Sequence, residues 1–360
     1  MPTSGDEVDL EEWGRRWRFL RKEAPQLHDE LVLMHGYCSI GPGCDTFDCL
    51  RRSDGERLWS FQRSPRALSR PAVSADGWVY VAEDCGRIHA LDVRSGEVRW
   101  ENDTGRDEGV PYISGTSYRH PSIAIVDRTL VHVDERGRLR AYARDTGALE
   151  REQRITCSVV QIERHGDDLW ISDRDGTITS IDPMTLAPRW QIRLPDRLKA
   201  PVIPVGEHFL ALLDRGDLVA RRRDDGRLHW WIDSIRTVAR DPYGGRNVIA
   251  ARRRGDLVAI DVGTGETAPL GRPTIRRVWG QVVVADRHLF VVTTGGVVRI
   301  DRGDGTVLPV YHRTDRSRIT SIEYADGILY VFERGAQGIL TAVEDGRVRW
   351  RAAISDYFLT

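Results

Sequence analysis

The sequence is poor in lysine and has no excess of either charge sign. Lys22 and Lys199 are the only lysines, so 51 of the 53 basic residues are arginines. The 54 acidic residues balance them and leave a formal net charge of -1. Because a near-neutral chain lacks the global positive field typical of nucleic-acid-binding proteins, we expect no nucleic-acid partner. Where arginine does bind ligands, its planar fork favours carboxylates and other anions.

Long apolar runs are also missing. The opening segment MPTSGDEVDLEEW is acidic and resembles neither a signal peptide nor a membrane span, and no cysteine near it suggests lipidation. We therefore expect a cytoplasmic monomer with no membrane association. The five cysteines are odd in number, and in the cytoplasm they predict thiols or ligands rather than disulfides. Serine-hydrolase, P-loop, zinc-protease and dinucleotide-binding motifs are absent.

An internal repeat organises most of the chain. Residues 76–100 and 326–350 each contain an alternating strand, a polar hairpin, a second strand, a turn with glycine and a tryptophan four residues after that glycine. Period-2 alternation, as in the segment WVYV, predicts strands rather than helices. Eight copies of the turn recur about every 40 residues, except for a gap of 51 residues between the second and third. They lie at positions 55, 96, 147, 186, 226, 265, 305 and 346.

A period of about 40 residues is typical of a four-stranded propeller blade. The sequence therefore predicts an all-β, eight-bladed β-propeller of four-stranded antiparallel blades. Each blade buries its two faces against its neighbours. Glycine allows the positive φ of the turn, and the tryptophan is large enough to reach the next blade. The tryptophan is present in five copies, as Trp59, Trp100, Trp190, Trp230 and Trp350.

The second copy carries the residues of a known family. Ala90, Asp92, Gly96 and Trp100 form the pattern Ala-x-Asp-x-x-x-Gly-x-x-x-Trp. This pattern resembles the tryptophan-docking repeat of quinoprotein alcohol dehydrogenase-like propellers, also called PQQ-like repeat propellers, over about residues 30–352. The dehydrogenases of that family use an adjacent cysteine pair and a calcium site, and no two cysteines are adjacent here. We therefore expect neither PQQ nor quinone-dependent dehydrogenation. The outer-membrane assembly lipoprotein of similar fold is not expected either, because its export and lipidation signals are missing.

The chain ends suggest how the ring closes. No inner strand is evident before residue 30, so we expect Ala352–Thr360 to supply the inner strand of the first blade. Residues 1–29 are predicted to form an N-terminal helical extension, and residues 30–360 the propeller. Within residues 9–23, an apolar stripe at helical spacing predicts a short helix that packs on the rim or docks a partner. The stripe comprises Leu10, Trp13, Trp17 and Leu20.

Function is expected on one face of the propeller, where the inner strands begin and the hairpins between second and third strands lie. Basic residues precede most of the predicted inner strands. We expect them to form either an anion-binding channel mouth or a solvated rim. They are Arg70, His120, Arg154, Lys199, Arg236, Arg277 (or its neighbour Arg276) and Arg318. The extra residues of the longest spacing between copies lie within residues 101–121. There Asp107 or Glu108 with His120 are candidates for acid–base catalysis, and tolerated insertion is the alternative.

The cysteines suggest a weaker candidate site. Cys38, Cys44 and Cys49 lie in or beside the first blade's hairpin, and Cys85 lies in the next one. Thiolates, with His35 or His120 nearby, would suit Zn²⁺ or Cu⁺, although the spacing matches no common zinc motif. Buried thiols are the alternative.

The sequence is compatible with two functions. The first is a cytoplasmic binding or scaffold propeller that holds a protein, a peptide or an anionic small molecule on its channel face. The second is an enzyme of a specialised biosynthetic pathway with a site, metal-dependent or not, at the channel mouth.

Overall fold

The chain forms eight four-stranded antiparallel sheets in which strand order follows chain order. In this computed structural model the described residues are 24–36, 46–62, 68–83, 87–103, 122–133, 138–155, 159–166, 168–173, 175–243, 245–270, 275, 278–314, 317–335 and 338–354. The eight-bladed propeller predicted from the repeat is confirmed. We number the blades 1 to 8 along the chain.

The inner strand of each blade lines the channel, and the second strand pairs with it on the side of the rim. The inner strands are β1 (Gln26–His28), β5 (Ala72–Val73), β9 (Ser122–Val126), β13 (Val159–His165), β17 (Ile203–Val205), β21 (Ile235–Arg240), β25 (Val278–Val284) and β29 (Arg318–Ala325). The second strands are β2 (Leu31–Gly36), β6 (Trp78–Ala82), β10 (Thr129–Val133), β14 (Asp168–Asp173), β18 (His208–Leu212), β22 (Asn247–Arg252), β26 (His288–Thr293) and β30 (Ile328–Arg334).

The outer two strands complete each blade toward the rim. The third strands are β3 (Thr46–Arg51), β7 (Ile88–Asp92), β11 (Arg138–Ala143), β15 (Thr177–Ile181), β19 (Leu218–Arg222), β23 (Leu257–Asp261), β27 (Gly296–Asp301) and β31 (Gly338–Glu344). The outer strands are β4 (Arg57–Gln62), β8 (Val98–Asn102), β12 (Leu149–Arg154), β16 (Pro188–Arg193), β20 (Leu228–Ile232), β24 (Thr267–Pro269), β28 (Val307–His312) and β32 (Arg347–Ile354).

The core consists of separate apolar layers between adjacent blades. Alternating side chains of the middle strands point to opposite faces of a sheet, so each blade contributes to two layers. Between blades 8 and 1, for example, Val32 and Met34 pack with Tyr330 and Phe332. Because every blade depends on two neighbours for burial, the layers stabilise the ring as a whole.

The turn between the third and outer strands has the backbone that the repeat predicts. Seven of its eight marker positions are glycines with φ between 70° and 76°, whereas the fourth is Leu186 with φ of 61°. The Leu186 side chain is fully buried between blades 3 and 4. Burial of a large apolar side chain compensates there for a conformation that favours glycine.

The five repeat tryptophans bridge neighbouring blades as predicted. The indole nitrogen of each donates a hydrogen bond of 2.8–3.0 Å to a backbone carbonyl of the following blade. For Trp59 the acceptor is Val93, and a Cβ added at Gly96 would lie 2.6 Å from the Trp59 ring. At Gly96, glycine is therefore favoured for two reasons, the positive φ and the close approach of the indole.

The expected ring closure by the C-terminal tail is wrong. Strand β1 pairs with β2 and supplies the inner strand of blade 1. Residues 352–354 instead extend β32 and pair with β31, through Gly338 and Ile354. They continue the strand that carries Trp350, and the described ring closes through side-chain contacts between blades 8 and 1. The first sheet therefore includes residues 26–28, which the sequence had assigned to the N-terminal extension.

The predicted helix at residues 9–23 and the tail at residues 355–360 lie outside the described residues. Within the described part, no helix has the length and apolar character needed to cross a membrane.

Candidate functional site at the channel mouth

Three consecutive blades place a large side chain where their inner strands begin. Arg236 is the second residue of β21, Trp279 the second of β25, and Arg318 the first of β29. Since inner strands of all blades start at the same face, these side chains share the channel mouth. We call Arg236, Trp279 and Arg318 the mouth cluster.

The mouth cluster is built around the indole of Trp279. The guanidinium carbon of Arg236 lies 5.4 Å from the Trp279 ring centroid, and that of Arg318 lies 5.9 Å from it. Both contacts are within the range of cation–π attraction. The Trp279 side chain remains 46 % exposed, so the three groups form an open surface. Among the described residues, neither guanidinium forms an ion pair with a carboxylate.

Lys199 extends this basic sector to a fourth blade. Its ammonium donates a hydrogen bond of 2.7 Å to the carbonyl oxygen of Arg236. Its backbone amide donates to the carbonyl of Leu212 at 2.8 Å, which fixes the loop that enters blade 5. The ammonium charge is therefore held beside the Arg236 backbone at the mouth.

A buried carboxylate fixes the loop that leads to Arg318. Glu333 is 1 % exposed and accepts hydrogen bonds from the Thr314 amide at 3.0 Å, the Ser317 hydroxyl at 2.8 Å and the Tyr311 hydroxyl at 2.7 Å. Burial, with the Glu333 contact, raises the pKa of Tyr311 to about 12. Tyr311 therefore stays a neutral donor, and the network orients the start of β29.

The channel itself contains a cavity of about 700 Å³. Inner strands and their flanking residues from all eight blades line it. The charged residues of the lining come from four alternate blades and are Arg70, Glu163, Arg164, Arg240 and Glu323. A cavity of this size, lined by both charged and apolar residues, is large enough for a small ligand or a segment of peptide.

Two predicted mouth residues lie away from the cluster. Arg70 lines the channel wall at blade 2. Arg154, expected just before an inner strand, is instead the last residue of the outer strand β12, where it pairs with Arg138. The inner strand of blade 4 begins only at Val159, so Arg154 lies at the outer edge of its blade rather than at the mouth.

Several other candidates lie outside the described residues. They are His120, Arg277, the catalytic candidates Asp107 and Glu108, and the metal-ligand candidates Cys38, Cys44 and Cys85.

Cys49 is the only one of the candidate metal-ligand cysteines that the structure describes. It is fully buried in the apolar layer between blades 1 and 2. Burial, with a smaller contribution from the Asp48 charge, raises the pKa of its thiol to about 12. Because the thiolate is the form that binds metals, this environment favours a packing role for Cys49.

A second polar cluster surrounds a buried imidazole in blade 2. The His89 Nε2 atom lies 2.7 Å from a Glu83 oxygen, and its Nδ1 atom lies 3.2 Å from a Glu101 oxygen. The two carboxylates contact opposite ring nitrogens, so they do not converge on one point as metal ligands would. Among the described residues, no group of three or more histidine, cysteine or acidic side chains forms a metal-binding arrangement. We assign this cluster to the packing of the third strand.

Trp279 is the member of the mouth cluster that the sequence did not predict. The sequence does hold a signal, because Trp279 is not four residues after a turn glycine and so does not fit the bridging role of the repeat tryptophans. Together with Arg236 and Arg318, Trp279 forms a surface whose chemistry suits anions. The guanidinium forks offer planar N–H donors, and the indole holds them in place.

The repeat and the ring of sheets define a propeller of the PQQ-like class. The chain belongs to the family described as outer membrane protein assembly factor BamB, whose model matches residues 45–118 and 116–309. That family is named for the assembly factor whose role the sequence did not favour. Membership shows the repeat and the fold.

Solved structures show the same fold at low identity. BamB from Moraxella catarrhalis is 17% identical, with 75% of this chain and 81% of that chain covered and a TM-score of 0.54. The computationally designed Ika8 protein is 14% identical, with 92% and 96% covered and a TM-score of 0.64. The C-terminal WD40 domain of Sif2 is 13% identical, with 88% and 93% covered and a TM-score of 0.62. No curated protein matches the chain.

Proposed function

We propose that this protein is a binding propeller that holds an acidic segment of a partner protein at its channel mouth. The observation that carries the proposal is the mouth cluster, in which two arginines share one exposed indole without a carboxylate partner in the described residues. Such an arrangement concentrates positive potential locally, although the whole chain is near neutral. Arginine and tryptophan are also the residue types enriched where binding energy is concentrated in protein interfaces.

The fold supports a binding role. PQQ-like and WD40-like propellers present loops of many blades on one rigid face, and such loops are where binding residues usually lie. Lys199 adds a positive charge next to the cluster. The catalytic alternative depended on residues outside the described part of the chain, and no described contact favours it.

Binding of a defined acidic probe tests the proposal. Fluorescence polarisation would compare labelled decaglutamate with an uncharged glycine–serine peptide of equal length at low salt. We expect the decaglutamate to bind more tightly, and binding to weaken several-fold in the double variant Arg236→Gln, Arg318→Gln and at higher salt.

A charge-matched control uses two exposed arginines on the opposite face. The variant Arg128→Gln, Arg347→Gln removes the same charge far from the mouth. It is expected to bind decaglutamate like the unmodified protein. Equal binding of the two peptides, or equal weakening in both double variants, would exclude the mouth cluster as the site.

A further inference from the structure

The mouth cluster limits the spacing of charges on its ligand. Both guanidinium carbons lie within 6 Å of the same ring centroid, so they are less than about 12 Å apart. Each belongs to a different blade, with the blade that carries Trp279 between them. A ligand that pairs with both arginines must therefore carry two anionic groups on one side and pass over the indole.

An extended peptide meets this requirement with acidic residues at positions i and i+2. In a β-like segment, alternate side chains lie on the same side and about 7 Å apart, whereas adjacent side chains point to opposite sides. A helix would present acidic residues at i and i+4 on one side, but it is about 10–12 Å wide with its side chains. The flat, half-exposed indole between the two arginines favours the narrower extended chain.

We infer that the mouth cluster recognises an extended acidic segment in which one residue separates two carboxylate side chains. This inference rests on the proposed function and adds the spacing of the recognised charges. Arg236 and Arg318 each pair with one carboxylate, and Trp279 contacts the intervening backbone while it holds the guanidinium groups.

Three labelled glycine–serine peptides of equal length test the spacing. One contains Glu-Gly-Glu, one contains Glu-Glu and one contains Glu-Gly-Gln. We expect the Glu-Gly-Glu peptide to bind about two- to five-fold more tightly than either of the others, since each exposed ion pair contributes modestly. Fluorescence polarisation at low salt measures the three dissociation constants.

Single variants show which side chains cause the preference for the Glu-Gly-Glu peptide. In Arg236→Gln and in Arg318→Gln, the Glu-Gly-Glu and Glu-Gly-Gln peptides should bind equally, because only one carboxylate can still pair. In Trp279→Leu, both arginines remain but their common support is lost, so the preference over Glu-Glu should disappear. Circular dichroism and unfolding midpoints of these variants show whether they are folded.

The outcomes separate the spacing from the proposed function. Equal affinity for Glu-Gly-Glu and Glu-Glu, with decaglutamate still bound, overturns the spacing and leaves the proposed function standing. Competition by millimolar inorganic phosphate, with no dependence on peptide spacing, also overturns it and points to a site for single anions. Failure of every acidic peptide to bind more tightly than the uncharged peptide removes both proposals.

Discussion

The indole nitrogen of Trp350 donates a hydrogen bond of 2.8 Å to the carbonyl oxygen of Arg52, and this contact joins the last blade to the first. The Arg52 side chain adds two contacts to blade 8, with the Tyr330 hydroxyl at 3.0 Å and with Asp326 at 2.9 Å. Trp350 is 7 % exposed and packs among residues of both blades. The described ring is therefore closed by side chains rather than by a shared sheet.

Replacement of Trp350 by phenylalanine should weaken this closure. The variant keeps an aromatic ring but loses the indole donor and part of the buried surface, so we expect the free energy of unfolding to fall by about 1–3 kcal/mol. Urea unfolding followed by circular dichroism measures the change. The matched control is Trp231→Phe, because Trp231 is 63 % exposed and should change stability by less than about 0.5 kcal/mol. Equal losses in the two variants would contradict a special role for Trp350.

The turn glycines predict a second stability difference. Gly96 and Gly206 both have positive φ, of 72° and 57°, so alanine strains the backbone at either position. An added Cβ at Gly96 would lie 2.6 Å from the Trp59 ring, whereas nothing lies within 4 Å of one at Gly206. We therefore expect Gly96→Ala to be more destabilising than Gly206→Ala by at least about 1 kcal/mol in urea unfolding. Similar values would show that the indole moves aside without loss.

Arginines join alternate pairs of blades on the face opposite the mouth. The residue just after the third strand is an arginine in blades 1, 3, 5 and 7, and each reaches back to the preceding blade. The contacts are Arg52 to Asp326, Arg144 to Asp76, Arg223 to the His165 carbonyl, and Arg302 to Asp241, at 2.5–2.9 Å. In blades 2, 4, 6 and 8 the residue just after the third strand is Val93, Asp182, Val262 and Asp345. The ring thus has a two-blade period that a simple count of the copies does not reveal.

The Arg302–Asp241 pair should be the most sensitive of these contacts. Two guanidinium nitrogens contact the two oxygens of Asp241, at 3.2 and 2.5 Å, and the Asp241 side chain is 1 % exposed. Arg302→Leu leaves a buried carboxylate without its counter-ion, so we expect a loss of about 3 kcal/mol in urea unfolding. Arg128→Leu breaks an exposed pair with Asp145 and should cost less than about 1 kcal/mol.

A second variant tests the cause of that loss. Adding Asp241→Asn to Arg302→Leu removes the unpaired charge, so part of the stability should return. If the double variant is no more stable than Arg302→Leu, lost packing rather than the buried charge explains the effect.

The repeat was predictable because its signals are local. A glycine with positive φ and a tryptophan four residues later have to occur in the same blade, so the number of blades could be read from turns such as that at Gly96. Ring closure was not predictable in the same way. The three-residue strand Gln26–His28 is too short for its alternation of apolar and polar residues to be recognised. An edge strand of that length forms only because it pairs with the neighbouring strand.

The candidate site was predictable only in part. Arg236 and Arg318 were found because they precede inner strands, but Arg154 lies in an outer strand, since the connection into blade 4 continues to Val159. Trp279 was missed because its partners come from two other blades, about 40 residues away in either direction. Convergence of side chains across a ring depends on where each strand starts, and local patterns locate that point only to within a few residues.

The thiol of Cys49 should be inert in the folded protein. A pKa of about 12 leaves a very small thiolate fraction at pH 8, and the side chain is fully buried. We expect iodoacetamide to leave Cys49 unmodified under native conditions and to alkylate it fully in guanidinium chloride, as measured by peptide mass spectrometry. Native labelling at the denatured rate would show that the layer between blades 1 and 2 opens readily.

Asp92, which precedes the turn of blade 2, predicts a change of stability with pH. A hydrogen bond of 2.8 Å from Arg99, together with the amides of Ser95 and Arg94, lowers the pKa of Asp92 from 3.8 to about 2. Because the folded pKa lies below the unfolded one, the stabilisation is complete above pH 3.8 and is lost as the pH falls toward 2. The difference in unfolding free energy between the unmodified protein and Asp92→Asn should therefore be constant near neutral pH and shrink between about pH 4 and pH 2. Arg99→Gln should reduce the size of this change, since it removes the largest cause of the shift. A difference that stays constant down to pH 2 would mean that the carboxylate at the turn gains nothing from these donors.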